Sequence, residues 1–213
     1  VTVHDLIGMM FPNQLGWPSR FYWGKWLPAS VRQADFLIAD SENTKKDIVQ
    51  KLNVPENKIR VIYPSGHEGF SAHLEQSLIQ AVKNQLSIKE KYFLFVGTIE
   101  PRKNLARVIE AFSQFLQSKK RETKFQLVIV GSKTFAHGKA FSLITEKVRL
   151  GSDDILFTGY LSHEHLNALY AGAEALMFPS LYEGFGIPVL EAMASGIPVL
   201  GSNTSSLPEV AGE

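Results

Sequence analysis

The chain has no cysteine. Disulfide frameworks, thiolate metal sites and cysteine nucleophiles are therefore excluded, and the composition suits a reducing, cytosolic setting. It also lacks an excess of either charge: 22 Lys+Arg stand against 21 Asp+Glu in 213 residues, a net charge of +1. That balance gives no electrostatic case for a nucleic-acid partner, which calls for a basic excess or stripe. A charged fraction of 20% excludes a highly charged disordered chain. Long hydrophobic runs are missing; none approaches the ~18–20 residues that span a bilayer. No charged-then-apolar leader opens the chain. Both ends read as cut from something longer, with Val1 leading straight into an apolar run and no closing helix before Glu213. What the chain does have is 45% hydrophobic residues. At this length the core can bury roughly 70% of the unfolded surface.

Short apolar runs bounded by Gly, Pro or Asp alternate with stretches of helical period, the pattern of βα units on a parallel sheet. Strands are predicted at Val1–Val3, Phe36–Ala39, Arg60–Ile62, Tyr92–Val96, Phe125–Val130, Ile155–Phe157, Ala175–Phe178 and Pro198–Leu200. The later ones are nearly continuous hydrophobics, as expected where helices cover both faces. Leu105, Val108, Ile109, Phe112, Phe115 and Leu116 mark one buried helix face. Asp40 or Ser41 can cap a helix running to about Leu52, and Ser162 one through Tyr170. The boundary falls between Tyr63 and Lys91, in a polar stretch with Gln76, Gln80, Asn84 and Gln85. This divides the chain into 1–65, a linker at 66–90, and 91–213. The first piece is right for the second half of an open α/β domain; the last is close to a complete one, short of its final helix.

Chemistry concentrates in Tyr182-Glu183-Gly184-Phe185-Gly186-Ile187-Pro188-Val189-Leu190-Glu191. Pro188 suits the first helical position, which puts Glu191 in the first turn. The amides of Gly184, Phe185, Gly186 and Ile187 then lie at a helix N-terminus, where glycines admit close approach and the dipole favours an anion. Two carboxylates beside an anion site suit a ligand carrying both phosphate and hydroxyls. A plainer reading stands beside this one: Glu191 complements the helix dipole and Glu183 is a solvated loop residue. Gly97-Thr98-Ile99-Glu100-Pro101-Arg102-Lys103 follows a strand, at the edge where open α/β sheets bind ligands. Arg102 and Lys103 can meet a diphosphate, one as a fork and one as a point charge, or form a surface pair at a helix start. His4-Asp5 closes the opening strand. A histidine there serves either as a structural hydrogen-bonder or as a site residue.

Other signals fail. Gly131-Ser132-Lys133-Thr134 lacks the Gly-Lys-Ser/Thr order of a phosphate loop. No Gly-x-Gly-x-x-Gly appears, which argues against a nicotinamide domain. His163 and His165 face different sides of a helix, Asp153-Asp154 reads as a turn, and no metal site or cofactor is predicted.

Glu183 and Glu191, seven residues apart within EGFGIPVLEAMASGIPV, resemble the glutamate pair of the retaining glycosyltransferase family 4. The resemblance runs back through FVGTIEPRKN, LVIVG and FTGYLSHEHLNALYAGAEALMFPS, and forward to Ser205-Ser206-Leu207-Pro208-Glu209. VTVHDL and FLIADSENTKKDIV are similar to the later part of the family's N-terminal domain. The resemblance implies an α/β GT-B fold: two Rossmann-like domains with parallel sheets facing a cleft, the N-terminal one incomplete. It also implies roles. Glu183 would contact sugar hydroxyls, Glu191 the ribose, the amides from Gly184 to Ile187 the sugar and diphosphate, and Lys103 the diphosphate. Tyr160 would lie near the base, and His4 beside the transferred sugar. Many members carry an Arg where this chain has Thr98, so Arg102 is the candidate for the second cation.

The GTIEPRKN and HD forms together most resemble bacterial mannosyltransferases of surface-polysaccharide assembly. The implied reaction is metal-independent transfer of a sugar, mannose from GDP-mannose foremost, to a glycan or lipid-linked acceptor hydroxyl with retention. A sugar-nucleotide epimerase of the same fold and a noncatalytic nucleotide-sugar-binding fragment are the alternatives. Trp17, Phe21, Tyr22, Trp23 and Trp26 lie among Arg20, Lys25 and Arg32 with no acid between Trp17 and Arg32. Aromatics interleaved with cations suit an anionic lipid interface, which would place a cytoplasmic protein at the inner face of the plasma membrane. A buried aromatic helix or an acceptor lid explains the same residues.

Overall fold

The central apolar runs, Lys91–Val96, Phe125–Val130 and Ala175–Phe178, are the most deeply buried strands of their sheet. The computed structural model describes residues 1–66, 69–118, 125–132, 150–151 and 153–212. Lys133 and Thr134 of the failed phosphate-loop pattern lie outside them. The contact pattern divides the chain into two units. The first comprises Val1–Ser65, Tyr182–Ile187 and Asn203–Glu213, the second Gly66–Leu181 and Pro188–Ser202.

In the first unit β1 (Thr2–Val3), β2 (Leu37–Ala39) and β3 (Ile59–Val61) form a parallel sheet in that order. Helices α1 (Ile7–Met10), α2 (Trp17–Phe21), α3 (Leu27–Gln33) and α4 (Glu42–Leu52) connect the strands, with a π-helical stretch at Tyr22–Trp26. Ser41 caps α4 by accepting the Thr44 N–H at 3.0 Å, and Asn53 ends it in the left-handed region. Val3, Leu6, Val31, Leu37, Ile48, Leu52 and Ile59 form the core.

In the second unit β4 (Lys91–Val96), β5 (Phe125–Val130), β6 (Ile155–Gly159), β7 (Ala175–Phe178) and β8 (Val199–Gly201) are all parallel, in the order β6-β5-β4-β7-β8. Among the described residues this unit also carries α5 (Gln76–Gln85), α6 (Leu105–Ser118), α7 (His163–Ala171) and, from Pro188 on, α8 (Ile187–Ala194). The apolar face of α6 is buried against β4 and β5, and Phe93, Phe112, Phe115 and Phe125 pack ring to ring. Ser162 caps α7 through the His165 N–H.

A short helix, α9 (Leu207–Ala211), with Pro208 in its first turn, belongs to the first unit. Two expectations are corrected. The stretch 66–90 is not a bare linker: it holds α5, whose Ile79 and Val82 are buried. Three apolar residues at helical spacing, Leu78, Ile79 and Val82, suffice among the glutamines. Finally, α8 starts at Ile187, so Pro188 is its second residue and Glu191 lies beyond the first turn. Glu191 is then too far along the helix for the dipole alone to account for it.

Candidate functional site

The strand order of the second unit reverses between β4 and β7, and the loops that leave their carboxyl ends carry two of the sequence motifs. At such a reversal the two loops diverge to opposite faces of the sheet and leave a crevice between them. After β4, Gly97 takes φ +146°, and Pro101–Lys103 forms a single tight turn ended by Asn104 in the left-handed region. The loop after β7 is tied to this turn. Leu181 N–H donates to the Arg102 carbonyl at 2.8 Å, and Asn104 Nδ2 donates to the Pro179 carbonyl at 3.2 Å.

Lys103 is not a surface residue. It is 8% exposed, with Nζ 4.8 Å from the centroid of Phe178, the last residue of β7. Its aliphatic stem runs past Gly97, so close that a Cβ there would stand 3.4 Å from Lys103 Cε. Lys103 thus brings a cation to the carboxyl edge of two central strands. Arg102 is engaged differently: its Nε pairs with Glu100 Oε2 at 3.0 Å, so part of its charge is already met within the loop. Thr98 is half-buried in the same loop. Tyr160 follows Gly159 at the end of β6, two strands from β4 and so about 10 Å along the same edge, and is 86% exposed.

Glu191 is 9% exposed and accepts a hydrogen bond on Oε2 from the Tyr170 hydroxyl at 2.7 Å. Burial first, and then the Glu191 carboxylate, push the Tyr170 hydroxyl well above its ordinary pKa, so it stays protonated and remains a donor. Phe70 packs edge-on against the Tyr170 ring at 5.2 Å. The sequence reading placed Tyr170 only on a helix; its bond to Glu191 spans 21 residues and depends on how α7 lies against α8. Tyr170→Phe is expected to weaken ligand binding about 10-fold or more, because a hydrogen bond to a charged group is worth ~1.5–3 kcal/mol. Titration calorimetry with a nucleotide sugar checks this, and an unchanged affinity would remove Tyr170 from the site.

In the first unit the loop Tyr182–Ile187 is held by its carbonyls. Ser41 Oγ and Thr44 Oγ1 donate to the Gly184 carbonyl at 2.6 and 3.1 Å, and Ser206 Oγ reaches those of Glu183 and Phe185 at 3.1 and 2.7 Å. The Glu183 N–H donates to Ser205 Oγ at 3.0 Å, and the Tyr182 hydroxyl to Asp47 Oδ2 at 2.6 Å. Among the described residues no acceptor takes the amides of Gly184, Phe185 or Gly186. With the carbonyls of Glu183, Gly184 and Phe185 engaged, those amides are the groups left for an anion or a hydroxyl oxygen. Glu183 is 7% exposed, not a solvated loop residue. Gly184 lies against the His4 backbone: a Cβ there would come within 2.2 Å of the His4 carbonyl oxygen. His4 itself stands at the end of β1, its side chain 77% exposed and its Nδ1 2.7 Å from Asp40 Oδ2.

The aromatic stretch forms no buried helix. Trp17, Tyr22 and Trp26 are exposed, whereas Trp23 packs on Gly8. Its cations are partly occupied: Arg20 Nε donates to the Pro12 and Leu15 carbonyls, Lys25 lies over Phe21, and Arg32 Nε donates to the Leu52 carbonyl. Among the described residues no helix is long and apolar enough to cross a membrane, and no group of His, Asp and Glu is disposed to hold a metal ion.

Residues 78–213 match the family model described as glycosyl transferases group 1. The chain belongs to that family. The N-terminal residues 1–65 of this group 1 member match a second model, that of glycosyltransferase family 4. It is similar to the serotype-specific mannosyltransferase WbdA of Escherichia coli, 32% identical over 98% of this chain and 26% of that protein. It is also similar to the O-antigen chain mannosyltransferase RfbU of Salmonella typhimurium, 34% identical over 99% of this chain and 53% of that one. The chain thus spans between about a quarter and a half of the length of these relatives. Among solved structures, Anabaena Alr3699/HepE in complex with UDP and glucose matches the whole chain and 55% of its own, with TM-score 0.78 at 19% identity. At that identity the likeness establishes the fold alone, and the fold is GT-B.

Proposed function

We propose that this chain carries the donor site of a retaining, metal-independent glycosyltransferase of bacterial surface-polysaccharide synthesis, with GDP-mannose as donor and a glycan or lipid-linked hydroxyl as acceptor. The observation that carries this reading is Lys103, a buried cation at the strand-order reversal of the second sheet, in a loop tied by two hydrogen bonds to the loop that leads into Glu183 and Glu191. Lys103 would hold the leaving diphosphate, with Arg102 contributing what Glu100 leaves of its charge. The amides of Gly184 to Ile187 would take phosphate and sugar oxygens, Glu183 and His4 the sugar hydroxyls, and Glu191 the ribose. Thr98 would line the diphosphate loop, and the exposed Tyr160 would cover the base. The mannosyltransferase names of the relatives support the choice of sugar.

No residue in this scheme needs to attack the sugar. The work is electrostatic: donors fixed in advance by the fold meet charge that grows on the diphosphate as the glycosidic bond breaks. A cytoplasmic location at the inner face of the membrane belongs to the same proposal, with Trp17, Tyr22, Trp26 and Lys25 as the lipid contact; flotation of the intact protein with anionic vesicles at low salt tests that part.

The deciding experiment is a ligand-observed NMR screen of nucleotide sugars against the intact protein, with Glu191→Ala as control. GDP-mannose binding that is lost in the variant supports the proposal. Preference for a uridine or thymidine donor overturns the choice of GDP-mannose while leaving a donor site. Silence across all donors, from a folded protein, overturns the donor site itself.

A further inference from the structure

His4 and Asp40 are brought together by register. In the parallel pair β1–β2, Val3 stands opposite Ala39, so the next residue of each strand, His4 and Asp40, leaves the sheet side by side at its carboxyl edge. The side chains meet there: His4 Nδ1 lies 2.7 Å from Asp40 Oδ2. The carboxyl group is 15% exposed and the imidazole 77%, so the acid is the anchored partner and the ring the presented one. Asp5, the acid next to His4 in sequence, is turned to other work: its Oδ1 accepts the Ile7 N–H at 2.8 Å at the start of α1.

A carboxylate only accepts hydrogen bonds, so Nδ1 must carry the proton in this pair. In a neutral ring Nε2 is then bare, a lone-pair acceptor aimed away from Asp40. The His4 main chain cannot drift, because Gly184 packs directly on its carbonyl oxygen. Both the tautomer and the direction of the ring are thus set by groups other than His4.

We propose that Asp40 is a positioning residue for His4, holding it as the Nδ1–H tautomer so that Nε2 accepts a hydroxyl of the bound sugar. The assignment of that hydroxyl to a donor sugar rests on the function proposed above. The tautomer does not. An imidazole left to itself favours the Nε2–H form, so the state expected here is not a default.

Two measurements on the intact protein test it. Ring nitrogen shifts of labelled His4, recorded where the ring is neutral, are expected to show Nδ1 protonated and Nε2 bare, and Asp40→Ala is expected to abolish that preference. A parent protein with His4 in the Nε2–H form overturns the proposal. For turnover, Asp40→Ala is expected to cost roughly 10- to 100-fold in kcat with less than threefold change in donor KM, and Asp40→Asn, which can still accept through Oδ1, less. In a His4→Ala background the same Asp40→Ala change is expected to alter kcat less than threefold, since residues acting as one unit are not additive. Equal losses in both backgrounds would make Asp40 a structural residue and overturn the positioning role. If the intact protein transfers no sugar at all, the proposed reaction falls, while the ring spectrum still decides whether Asp40 holds His4.

Discussion

Lys103→Ala in the intact protein is expected to lower turnover by two to three orders of magnitude and leave the fold in place. The size follows from where the charge sits. At 8% exposure, Lys103 offers a diphosphate that arrives beside it a charge little screened by solvent. Removing one such preorganised donor typically costs about 3–4 kcal/mol of transition-state stabilisation. The loss should appear in kcat more than in donor KM, because the leaving diphosphate carries more charge in the transition state than in the bound donor. Lys103→Arg is not a rescue: the planar guanidinium must fit the space between Gly97 and Phe178 that the lysine stem fills. Steady-state kinetics at saturating donor, with circular dichroism to confirm folding, gives the answer; turnover within threefold of the parent would sink the role.

The second large effect is steric. Gly184→Ala would put a methyl group 2.2 Å from the His4 carbonyl oxygen and 2.8 Å from Asp5 Cβ. Neither neighbour is the loose end of a side chain, so the loop must move instead. Overpacking of this kind costs about 1–3 kcal/mol, and displacing the Gly184 carbonyl from Ser41 and Thr44 forfeits two hydrogen bonds at about 1 kcal/mol each. The expected result is a fall of roughly 6–20 °C in the thermal midpoint together with at least a 10-fold loss of turnover. Gly16→Ala is the control: its new methyl group would meet only Pro18 Cδ, at 4.0 Å, and both properties should stay near the parent's. An unperturbed Gly184→Ala protein would mean that the loop is not held against His4 in solution.

The strands were legible because each is a local statement. Phe125–Val130 and Ala175–Phe178 are apolar runs closed by Gly131 and Pro179, and nothing distant is needed to read them. The caps at Ser41 and Ser162 were legible for the same reason, since the hydroxyl and the amide it satisfies lie three residues apart. The motifs around Lys103 and Glu183 could be picked out by residue type. Their burial could not, and burial separates a site residue from a charged loop. The contacts of Tyr170 and Asp40 were not legible, since one meets its partner only when α7 lies against α8, the other only when β1 pairs with β2 in register. Such contacts belong to packing between elements, of which a single sequence shows the ingredients and not the assembly. Helix α5 was missed for a smaller reason, its apolar residues being outnumbered by polar ones.

Partners of α4 in the first unit come from far along the chain. Gly184 meets Ser41 across 143 residues, and Glu209 accepts the Glu42 and Asn43 amides across 167 and 166. During synthesis residues 1–65 therefore emerge ahead of these partners, with the first amides of α4 facing water until Glu209 has been made. At about 5–20 residues per second that wait is on the order of ten seconds. A protease acting on nascent chains, or a chain stalled before Tyr182, should find α4 frayed at its first turn, whereas the same turn in the finished protein should be among the slower to exchange its amide hydrogens.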